Sequence, residues 1–363
     1  MKNRKISILH WVVSPFSTKS YGGLEFIENY LLNIKSKNYK FELFSKDLVN
    51  GDRRAGSNIK LIRHFEFLMK YDVFYYLSFI KKTNNSFLRI GFNSPILSLL
   101  DNSGKSVVWF QNQIGFFGKM TYLPFYSLFK NRYKKSHFIF CSKYLLNSFC
   151  CFYPDFPKKN LHLIYNFTDL AINTKKKIVK SKYFKIIYIG QINYEKGFDT
   201  LINACDFLYK KNFPFNLHII GSKRLWNNKK IINLNLSDKK YIKSYKQVKH
   251  SAIGGYLKDK DVLIVPSKWD EPFGIVAVEG LSAGLIVISS QKGGLSEIIE
   301  DGRNGLSFKP NNHIDLANKI LQVYEMNDLQ KYKLINSGFA KVRALFNEYK
   351  FKKDFFKLVN NFQ

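Results

Sequence analysis

Short apolar runs alternate with helical patterns along most of the chain, and this alternation predicts parallel β-sheets covered by helices on both faces. The first half begins with an apolar run at Lys5–Val13, and a helical pattern follows through Glu25–Leu32. The second half repeats this order, with a run at Tyr183–Gly190 before a helical pattern at Thr200–Ala204. Further apolar runs predict strands at Lys40–Phe44, Phe87–Phe92, Ser106–Phe110, His137–Cys141, Leu161–Tyr165, Asn216–Gly221, Val262–Val265 and Leu285–Ser289.

The repeated order and the length predict two α/β domains of the doubly wound, Rossmann-like type. A chain of 363 residues is too long for one ordinary core. We predict an N-terminal domain over residues 1–172, a basic linker over 173–182 and a C-terminal domain over 183–345, with the two domains facing each other across a cleft. A final helix within 346–363 is expected to pack back on the N-terminal domain.

The chain is strongly basic, with a formal net charge of +31 and a pI of about 9.8. Such a surface attracts anionic partners, namely lipid headgroups, phosphorylated glycolipids or nucleic acid. No nucleic-acid motif accompanies the charge, so an anionic membrane surface is predicted and a specific nucleic acid is not. No apolar run reaches the roughly 18 residues that span a bilayer, and the first run lacks a signal-cleavage site. We therefore expect a cytoplasmic protein, peripheral on the inner face of the membrane.

Two carboxylates eight positions apart are the first candidate chemical groups. Glu271 lies in a predicted loop after a strand, and Glu279 lies about one turn into a helix predicted over Ile275–Ala283. A buried carboxylate needs hydrogen-bond donors, and the vicinal diol of a ribose would supply two to Glu279. A second sugar could offer hydroxyls to Glu271. The alternative is that Glu271 caps the helix and that Glu279 pairs with an internal lysine or arginine.

These carboxylates belong to an ordered set of motifs. The set comprises Tyr188–Gly190, Lys196–Gly197, Leu217–Gly221, Val265–Ser267, the two carboxylates, Ala283–Gly284, Gly293–Glu297 and Asp301–Gly305. In this order, from Lys185 to Phe308, the chain resembles the retaining nucleotide-sugar glycosyltransferases of the GT-B type, specifically glycosyltransferase family 4. Among them it is most similar to the lipopolysaccharide-core hexose and N-acetylhexosamine transferases.

The resemblance implies transfer of a hexose or N-acetylhexosamine from a nucleoside diphosphate sugar to a glycan or glycolipid acceptor, such as growing lipopolysaccharide or capsule. A UDP-sugar is favoured by its frequency in the family, and neither a cofactor nor a metal is implied. Glu271 would bind hydroxyls of the donor sugar and Glu279 the ribose. In a front-side displacement that retains configuration, the departing phosphate oxygen can itself accept the acceptor proton.

The leaving diphosphate requires positive charge in the site. Lys196, at the start of a predicted helix, is the candidate cation, and a solvated lysine is the alternative. Backbone N–H groups at a helix N-terminus can supply further partial positive charge to the diphosphate. Gln191 stands where the family usually has an arginine, and it can donate a hydrogen bond but no charge. The donor side is completed by Gly190, Gly221, Phe273, Gly274, Ile275 and Val276.

The first half is less informative about chemistry. Gly22 and Gly23 permit a loop to approach the phosphates, although a simple turn is the alternative. Gln111 and Asn112 stand on the acceptor side, where the family often has a histidine or aspartate, so no general base is evident. The basic and aromatic stretch Lys119–Lys135 suits a lipid interface or a glycolipid acceptor, and the alternative is a solvated basic face on a partly buried helix.

Ser222–His250 is also basic and is predicted to be surface. At the level of function, a nucleotide-sugar epimerase or hydrolase on the same fold and a basic nucleic-acid-binding protein are the competing hypotheses. A nicotinamide-dependent oxidoreductase is excluded, because neither half has the G-x-G-x-x-G turn with its acidic residue.

Overall fold

The computed structural model describes residues 4–10, 23–45, 58–62, 73–112, 126–173, 178, 181–221, 238–245 and 248–362. The chain divides into two compact units. The first comprises Met1–Asn166 together with Lys352–Gln363, and the second comprises Phe167–Phe351. The units thus divide after Asn166, whereas the sequence placed the end of the first domain at residue 172.

The described part of the first unit contains a seven-stranded sheet in which every pairing is parallel. Its strands are β1 (Arg4–Leu9), β2 (Tyr39–Ser45), β3 (Ile59–Leu61), β4 (Leu88–Phe92), β5 (Ser106–Phe110), β6 (His137–Phe140) and β7 (Leu161–Leu163). They lie in the order β3-β2-β1-β4-β5-β6-β7. The strand order therefore reverses between β1 and β4, which makes this pair the topological switch point. The helices are α1 (Gly23–Asn33), α2 (Val73–Lys82), α3 (Ile96–Leu100), α4 (Tyr126–Tyr133) and α5 (Lys143–Phe152).

The second unit repeats this topology in a six-stranded parallel sheet, again counted over its described residues. Its strands are β8 (Phe184–Ile189), β9 (Phe215–Ile220), β10 (Ile242–Tyr245), β11 (Val262–Val265), β12 (Ile286–Ser289) and β13 (Leu306–Ser307), in the order β10-β9-β8-β11-β12-β13. The switch point lies between β8 and β11. The helices are α6 (Phe198–Lys210), α7 (Ile253–Leu257), α8 (Ile275–Ser282), α9 (Leu295–Ile298), α10 (His313–Glu325), α11 (Asp328–Leu345) and α12 (Glu348–Asn360).

Apolar spacing explains how α6 covers this sheet. Phe198, Leu201, Cys205 and Leu208 recur every three or four residues, which places them on one face of a helix. All four are fully buried in the core of the second unit. Burial of each larger apolar side chain contributes about 1.5–3 kcal/mol. The face holds the helix on the sheet and fixes the loop between β8 and α6.

The last part of α12 belongs to the first unit. Its residues from Lys352 onward belong to the first unit. The Phe355 ring stacks on the Trp109 ring, with the two centroids 5.8 Å apart. Tyr39 donates its hydroxyl to Asn360 at 2.7 Å. The sequence pattern had placed a final helix within 346–363.

The predicted α/β class with two parallel sheets is confirmed, and each predicted strand is present with bounds shifted by a few residues at most. Three strands were not predicted, namely β3, β10 and β13. All three are edge strands, two to four residues long, and polar residues interrupt their apolar positions. Within Ser222–His250, the residues of β10 are half-buried or exposed, which agrees with the predicted surface. The interpretation was wrong for Tyr241 and His250, which are buried.

Candidate functional site

Three loops of the second unit meet at the carboxyl edge of its sheet, where open α/β folds bind ligands. Gly190 follows β8 and Gly221 follows β9, and a Cβ atom on Gly221 would lie 1.9 Å from the carbonyl oxygen of Gly190. Gly197 has a φ of +67°, and its Cβ would lie 1.8 Å from the carbonyl oxygen of Pro266, which follows β11. These glycines let the three loops contact one another through backbone atoms.

An ion pair between Lys196 and Glu271 lies between two of these loops. Lys196 Nζ is 2.7 Å from Glu271 Oε1 and 2.9 Å from Oε2, and Ser267 donates its hydroxyl to Oε1. The ammonium also lies 4.9 Å from the ring centroid of Trp269, which favours a cation. Glu271 is buried, whereas Lys196 is partly exposed. The buried carboxylate thus anchors a cation that solvent still reaches.

The ion pair brings together Lys196, the predicted cation for the leaving diphosphate, and Glu271, the predicted ligand of the donor sugar, which we expect to be the catalytic residues. An ammonium carries three donors, and the carboxylate takes at most two of them. Lys196 can therefore hold Glu271 and an anionic ligand at the same time. The alternative that Glu271 caps α8 is not observed, because Gly274 is the N-cap and no side chain caps that helix.

The backbone of Glu271 is fixed by the turn at Gly293 and Gly294. Its N–H donates to the Lys292 carbonyl at 3.2 Å, and its carbonyl accepts from the Gly294 N–H at 2.7 Å. Gly293 has a φ of +61°, and a Cβ there would lie 2.4 Å from the Glu271 carbonyl oxygen. The predicted Gly-Gly turn therefore positions Glu271 through backbone contacts.

The first turn of α8 supplies backbone donors at the same edge. The initial N–H groups of a helix have no intrahelical acceptors and carry partial positive charge. The N-cap Gly274 has a φ of +103°, which a non-glycine residue rarely adopts. Phe273 before it is buried, whereas Ile275 and Val276 are half-buried. The positions predicted to face a diphosphate thus lie at a helix start beside the Lys196 loop.

Glu279 lies one turn further along α8 and is 1% exposed. Its Oε1 is 2.6 Å from His250 Nε2, whereas its Oε2 is buried and has no hydrogen-bond partner among the described residues. The sequence had offered an internal lysine or arginine as the alternative partner, and the observed partner is a histidine. A buried carboxylate oxygen without a donor costs of the order of 1–3 kcal/mol. Glu279 therefore retains one acceptor for ligand hydroxyls.

His250 and Glu279 influence each other's protonation. Burial raises the pKa of Glu279, and the hydrogen bond and charge of His250 oppose this rise. Burial alone would lower the pKa of His250, but the hydrogen bond and charge of Glu279, with a smaller contribution from Asp169, raise it above its usual value. Asp169 Oδ1 lies 3.7 Å from His250 Nδ1. The geometry favours an imidazolium that compensates a buried carboxylate.

Gln191 is part of the turn that leads to Lys196. Its carbonyl oxygen accepts the Tyr188 hydroxyl at 2.6 Å, and its Oε1 accepts from Asn193 Nδ2 at 3.2 Å. Asn193 Oδ1 in turn accepts the Lys196 N–H at 2.8 Å. Gln191 adds no charge, so Lys196 supplies the positive charge that this loop contributes. Nearby Lys268 is paired with Asp199 instead.

The two predicted acceptor-side residues of the first unit differ in the accessibility of their side chains. The Gln111 amide forms a reciprocal pair with the Asn166 amide, at 2.9 and 2.7 Å, and both side chains are buried. The Asn112 side chain lies at the carboxyl end of β5 and is half-buried. Gln111 is thus engaged internally, which leaves Asn112 as the more accessible of the two.

Sequence reasoning missed Asn93, which follows β4 at the switch point of the first unit. Its Oδ1 accepts the backbone N–H groups of Gln111 and Asn112 at 2.8 and 3.1 Å. This arrangement assigns the amide nitrogen, and that nitrogen is buried without a partner in the described chain. A left-handed φ of +46° is tolerated by asparagine. Asn93 therefore presents a donor at the carboxyl edge.

Two other predictions on the first unit are only partly described. Gly23 begins α1, and Gly22 lies outside the described residues. Of the stretch Lys119–Lys135, residues 126–135 are described and form α4 and the turn after it. Within the described ranges, no cluster of three His, Cys, Asp or Glu side chains could hold a metal ion, and no helix has the length and apolarity to cross a membrane.

The second unit is similar in sequence to glycosyltransferases. Residues 170–337, a little under half of the chain, match the family model of glycosyl transferases group 1. The uncharacterized glycosyltransferase MJ1178 of Methanocaldococcus jannaschii is 33% identical over 208 residues, which cover 56% of this chain and 54% of that protein. The chain spans about half the length of the curated relatives it matches.

Solved glycosyltransferase structures share the fold of the whole chain. A glycosyltransferase from Rickettsia africae superimposes with a TM-score of 0.75 at 18% identity and covers 100% of this chain and 99% of its own. HepE of Anabaena, solved with UDP and glucose, gives a TM-score of 0.73 at 16% identity over 99% and 100% of the two chains. The GT-B fold is thereby confirmed. Residues 170–337 are similar to glycosyl transferases group 1, and the comparisons support a transferase enzyme.

Proposed function

We propose that the chain is a metal-independent, retaining glycosyltransferase that uses a UDP-hexose or UDP-N-acetylhexosamine. The observation that carries this proposal is the buried Oε2 of Glu279, which has no donor among the described residues and lies in a region matched to glycosyl transferases group 1. A ribose diol supplies two hydroxyl donors, as such an oxygen requires. The preference for uridine draws on HepE, a protein of the same fold that was solved with UDP and glucose.

Lys196 and the first turn of α8 would stabilise the diphosphate. Charge develops on the leaving phosphate oxygen as the bond to the sugar breaks, and a preorganised cation with helix N–H groups stabilises that charge. Glu271 would accept hydroxyls of the donor sugar and hold the Lys196 ammonium, to which it is paired. The absence of an arginine at Gln191 makes Lys196 the main cation of this loop.

The acceptor oxygen would form its bond to the anomeric carbon on the face from which the nucleoside diphosphate departs. The acceptor proton passes to the departing phosphate oxygen, so no separate base is needed. This agrees with an acceptor side where Asn93 and Asn112, both uncharged, lie at the carboxyl edge of the first sheet. Asn93 would donate a hydrogen bond to an acceptor oxygen.

The acceptor would be a surface glycan or glycolipid, such as growing lipopolysaccharide or capsule, at the inner face of the cytoplasmic membrane. The net charge of +31 supports attraction to an anionic membrane. A nucleotide-sugar epimerase or hydrolase on the same fold remains the competing enzyme, and a basic nucleic-acid-binding protein is the weaker alternative.

Product analysis separates these functions. The protein is incubated with UDP-glucose or UDP-N-acetylglucosamine, with and without a panel of n-octyl glycosides. The products are separated by chromatography and identified by mass spectrometry and NMR spectroscopy. A transferase yields UDP and an extended octyl glycoside with retained configuration. Equal UDP release without any acceptor indicates a hydrolase, and an isomeric UDP-sugar indicates an epimerase.

A further inference from the structure

The ammonium of Lys196 has a second neighbour besides Glu271 that can hold it in place. The Trp269 ring lies on the loop after β11, two residues before Glu271, and its centroid is 4.9 Å from Lys196 Nζ. A cation within about 6 Å of the centroid of a tryptophan ring is attracted by the electron-rich face of that ring. Lys196 is thus held by a carboxylate and by an aromatic ring that belong to the same loop.

These two partners differ in their effect on the charge of the ammonium. The Glu271 carboxylate, 2.7 Å from Lys196 Nζ, offsets the positive charge that other anions would experience. The Trp269 ring carries no net charge, so it attracts the cation without neutralising it. In the proposed reaction Glu271 also accepts hydroxyls of the donor sugar. Trp269 is then the partner that keeps the ammonium in place and leaves its charge available to the diphosphate.

Backbone hydrogen bonds fix the position of Trp269 independently of its ring. The carbonyl oxygen of Glu195 accepts the N–H groups of Lys268 at 2.8 Å and of Trp269 at 3.3 Å. Glu195 directly precedes Lys196, so these bonds join the two loops where the ring meets the ammonium. A smaller side chain at position 269 leaves both backbone donors and their acceptor unchanged.

A second lysine makes the reciprocal arrangement between the same parts of the chain. Lys268 Nζ, on the loop after β11, lies 3.7 Å from the centroid of Tyr194 on the loop after β8. It also pairs with Asp199 in the first turn of α6. Solvent reaches 11% of the Lys268 side chain but 27% of the Lys196 side chain. Lys196 is therefore the more accessible of the two to a ligand, and the Tyr194–Lys268 contact provides a matched comparison.

We propose that Trp269 is a positioning residue of the transfer reaction, which holds the Lys196 ammonium where it stabilises the leaving diphosphate. The ring acts through Lys196, by a cation–π contact, and not through a contact of its own with the reacting atoms. This inference rests on the proposed function, because it assigns the ring to the same donor site. It adds a residue whose contribution requires Lys196 to be present.

A double-variant cycle tests whether Trp269 acts through Lys196. Transfer from UDP-glucose or UDP-N-acetylglucosamine to an octyl glycoside is measured for Trp269→Leu, Trp269→Phe and Lys196→Met. Each Trp269 variant is also combined with Lys196→Met. Tyr194→Leu is the matched control, since it removes a ring from the same pair of loops but one that contacts Lys268. Circular dichroism and the Tm verify that each variant is folded.

Trp269→Leu should lower kcat about 3–30-fold, the range that a cation–π contact supplies. Trp269→Phe should lower it only about two- to fivefold, because a phenyl ring retains a weaker attraction. In the Lys196→Met background both substitutions should change kcat less than about twofold, and so should Tyr194→Leu in the wild type. If Trp269→Leu does not fold, the Trp269→Phe cycle gives the same test. Equal losses with and without Lys196, or a wild-type kcat in the Trp269 variants, would overturn the proposal.

Calorimetry separates this inference from the proposed function and needs no acceptor. UDP carries a diphosphate and uridine does not, so Trp269→Leu should weaken UDP binding about 3–10-fold and uridine binding less than about twofold. Unchanged UDP affinity in Trp269→Leu would overturn the inference and leave the proposed function intact. A wild type that binds no UDP would overturn the proposed function and the inference with it.

Discussion

His250 Nε2 lies 2.6 Å from Glu279 Oε1, whereas the second oxygen of the same buried carboxylate has no donor in the described part of the chain. The histidine orients the carboxylate, compensates its charge and occupies one oxygen. A ligand with two adjacent hydroxyls can then use the other oxygen. His250 is therefore a positioning residue for the proposed ribose site.

Replacing the histidine should weaken nucleotide binding. His250→Gln keeps a neutral donor near Glu279 but removes the imidazolium charge, so the affinity for UDP should fall about 5–30-fold, or about 1–2 kcal/mol. Titration calorimetry measures this change, and repeating it in buffers of different ionisation enthalpy counts the protons exchanged. Asp169→Asn is the matched control, with an expected change below about twofold, because an exposed charge pair contributes little. Equal affinities in His250→Gln and the wild type would contradict the positioning role.

The Lys196–Glu271 ion pair should act as one unit in turnover. Lys196→Met removes the cation that stabilises the leaving diphosphate and should lower kcat about 10²–10³-fold. Glu271→Gln should lower kcat as well, and the double variant should lose less than the product of the two single losses, since each partner orients the other. Steady-state kinetics with UDP-sugar and an octyl glycoside checks this cycle. Multiplicative losses would show that the two residues act independently.

Asn93→Asp distinguishes two roles of Asn93, namely donating a hydrogen bond to a ligand and bracing the backbone by accepting the N–H groups of Gln111 and Asn112. The aspartate still accepts the backbone N–H groups of Gln111 and Asn112 and tolerates the same φ, but it has no N–H to donate. Transfer to an octyl glycoside should fall about tenfold, the value of one lost hydrogen bond. UDP release in water should stay at its wild-type value, whereas the Tm should fall, because the second aspartate oxygen replaces a buried N–H and has no donor among the described residues. Asn93→Ala, which also removes the brace, should lower the Tm, and a wild-type transfer rate in Asn93→Asp would reject the donor role.

The buried His10–Glu28 pair predicts how stability depends on pH. Burial raises the pKa of Glu28 from 4.5 to about 7, against the opposing charge of His10 at 2.7 Å. A carboxyl with a raised folded-state pKa favours the folded state below pH 4.5, and this contribution is lost as the pH rises to about 7. Glu28→Gln cannot ionise, so its Tm relative to the wild type should increase across this window. A difference that is constant between these pH values would contradict the assignment.

Local patterns were sufficient to predict β8, β11 and α8. Each is an apolar run that ends at a glycine or proline. The loops that follow the two strands contain Lys196 and Glu271, which places both residues at one edge of a parallel sheet. The individual roles of these two residues remain predictions. Their direct ion pair was not expected, because no pattern along the chain encodes the distance between residues 75 positions apart.

The missing parts of the site are non-local. His250 lies in a basic stretch whose composition predicts an exposed surface. Only the packing of the short turn before α7 brings it into contact with Glu279, 29 positions later. Asn93 resembles any turn residue until the alignment of β4 with β5 places it beside the Gln111 and Asn112 N–H groups. A buried partner chosen by tertiary contacts leaves no periodic signal in the sequence.

Calorimetric titration of UDP into the wild type, Glu279→Gln and Glu271→Gln tests the central claim most directly. The amide at residue 279 offers the ribose one neutral oxygen in place of a carboxylate, so UDP affinity should fall about tenfold or more. Glu271→Gln should retain affinity within about threefold, because UDP lacks the sugar that Glu271 would hold. Wild-type UDP affinity in Glu279→Gln, or no UDP binding by the wild type, would contradict the account.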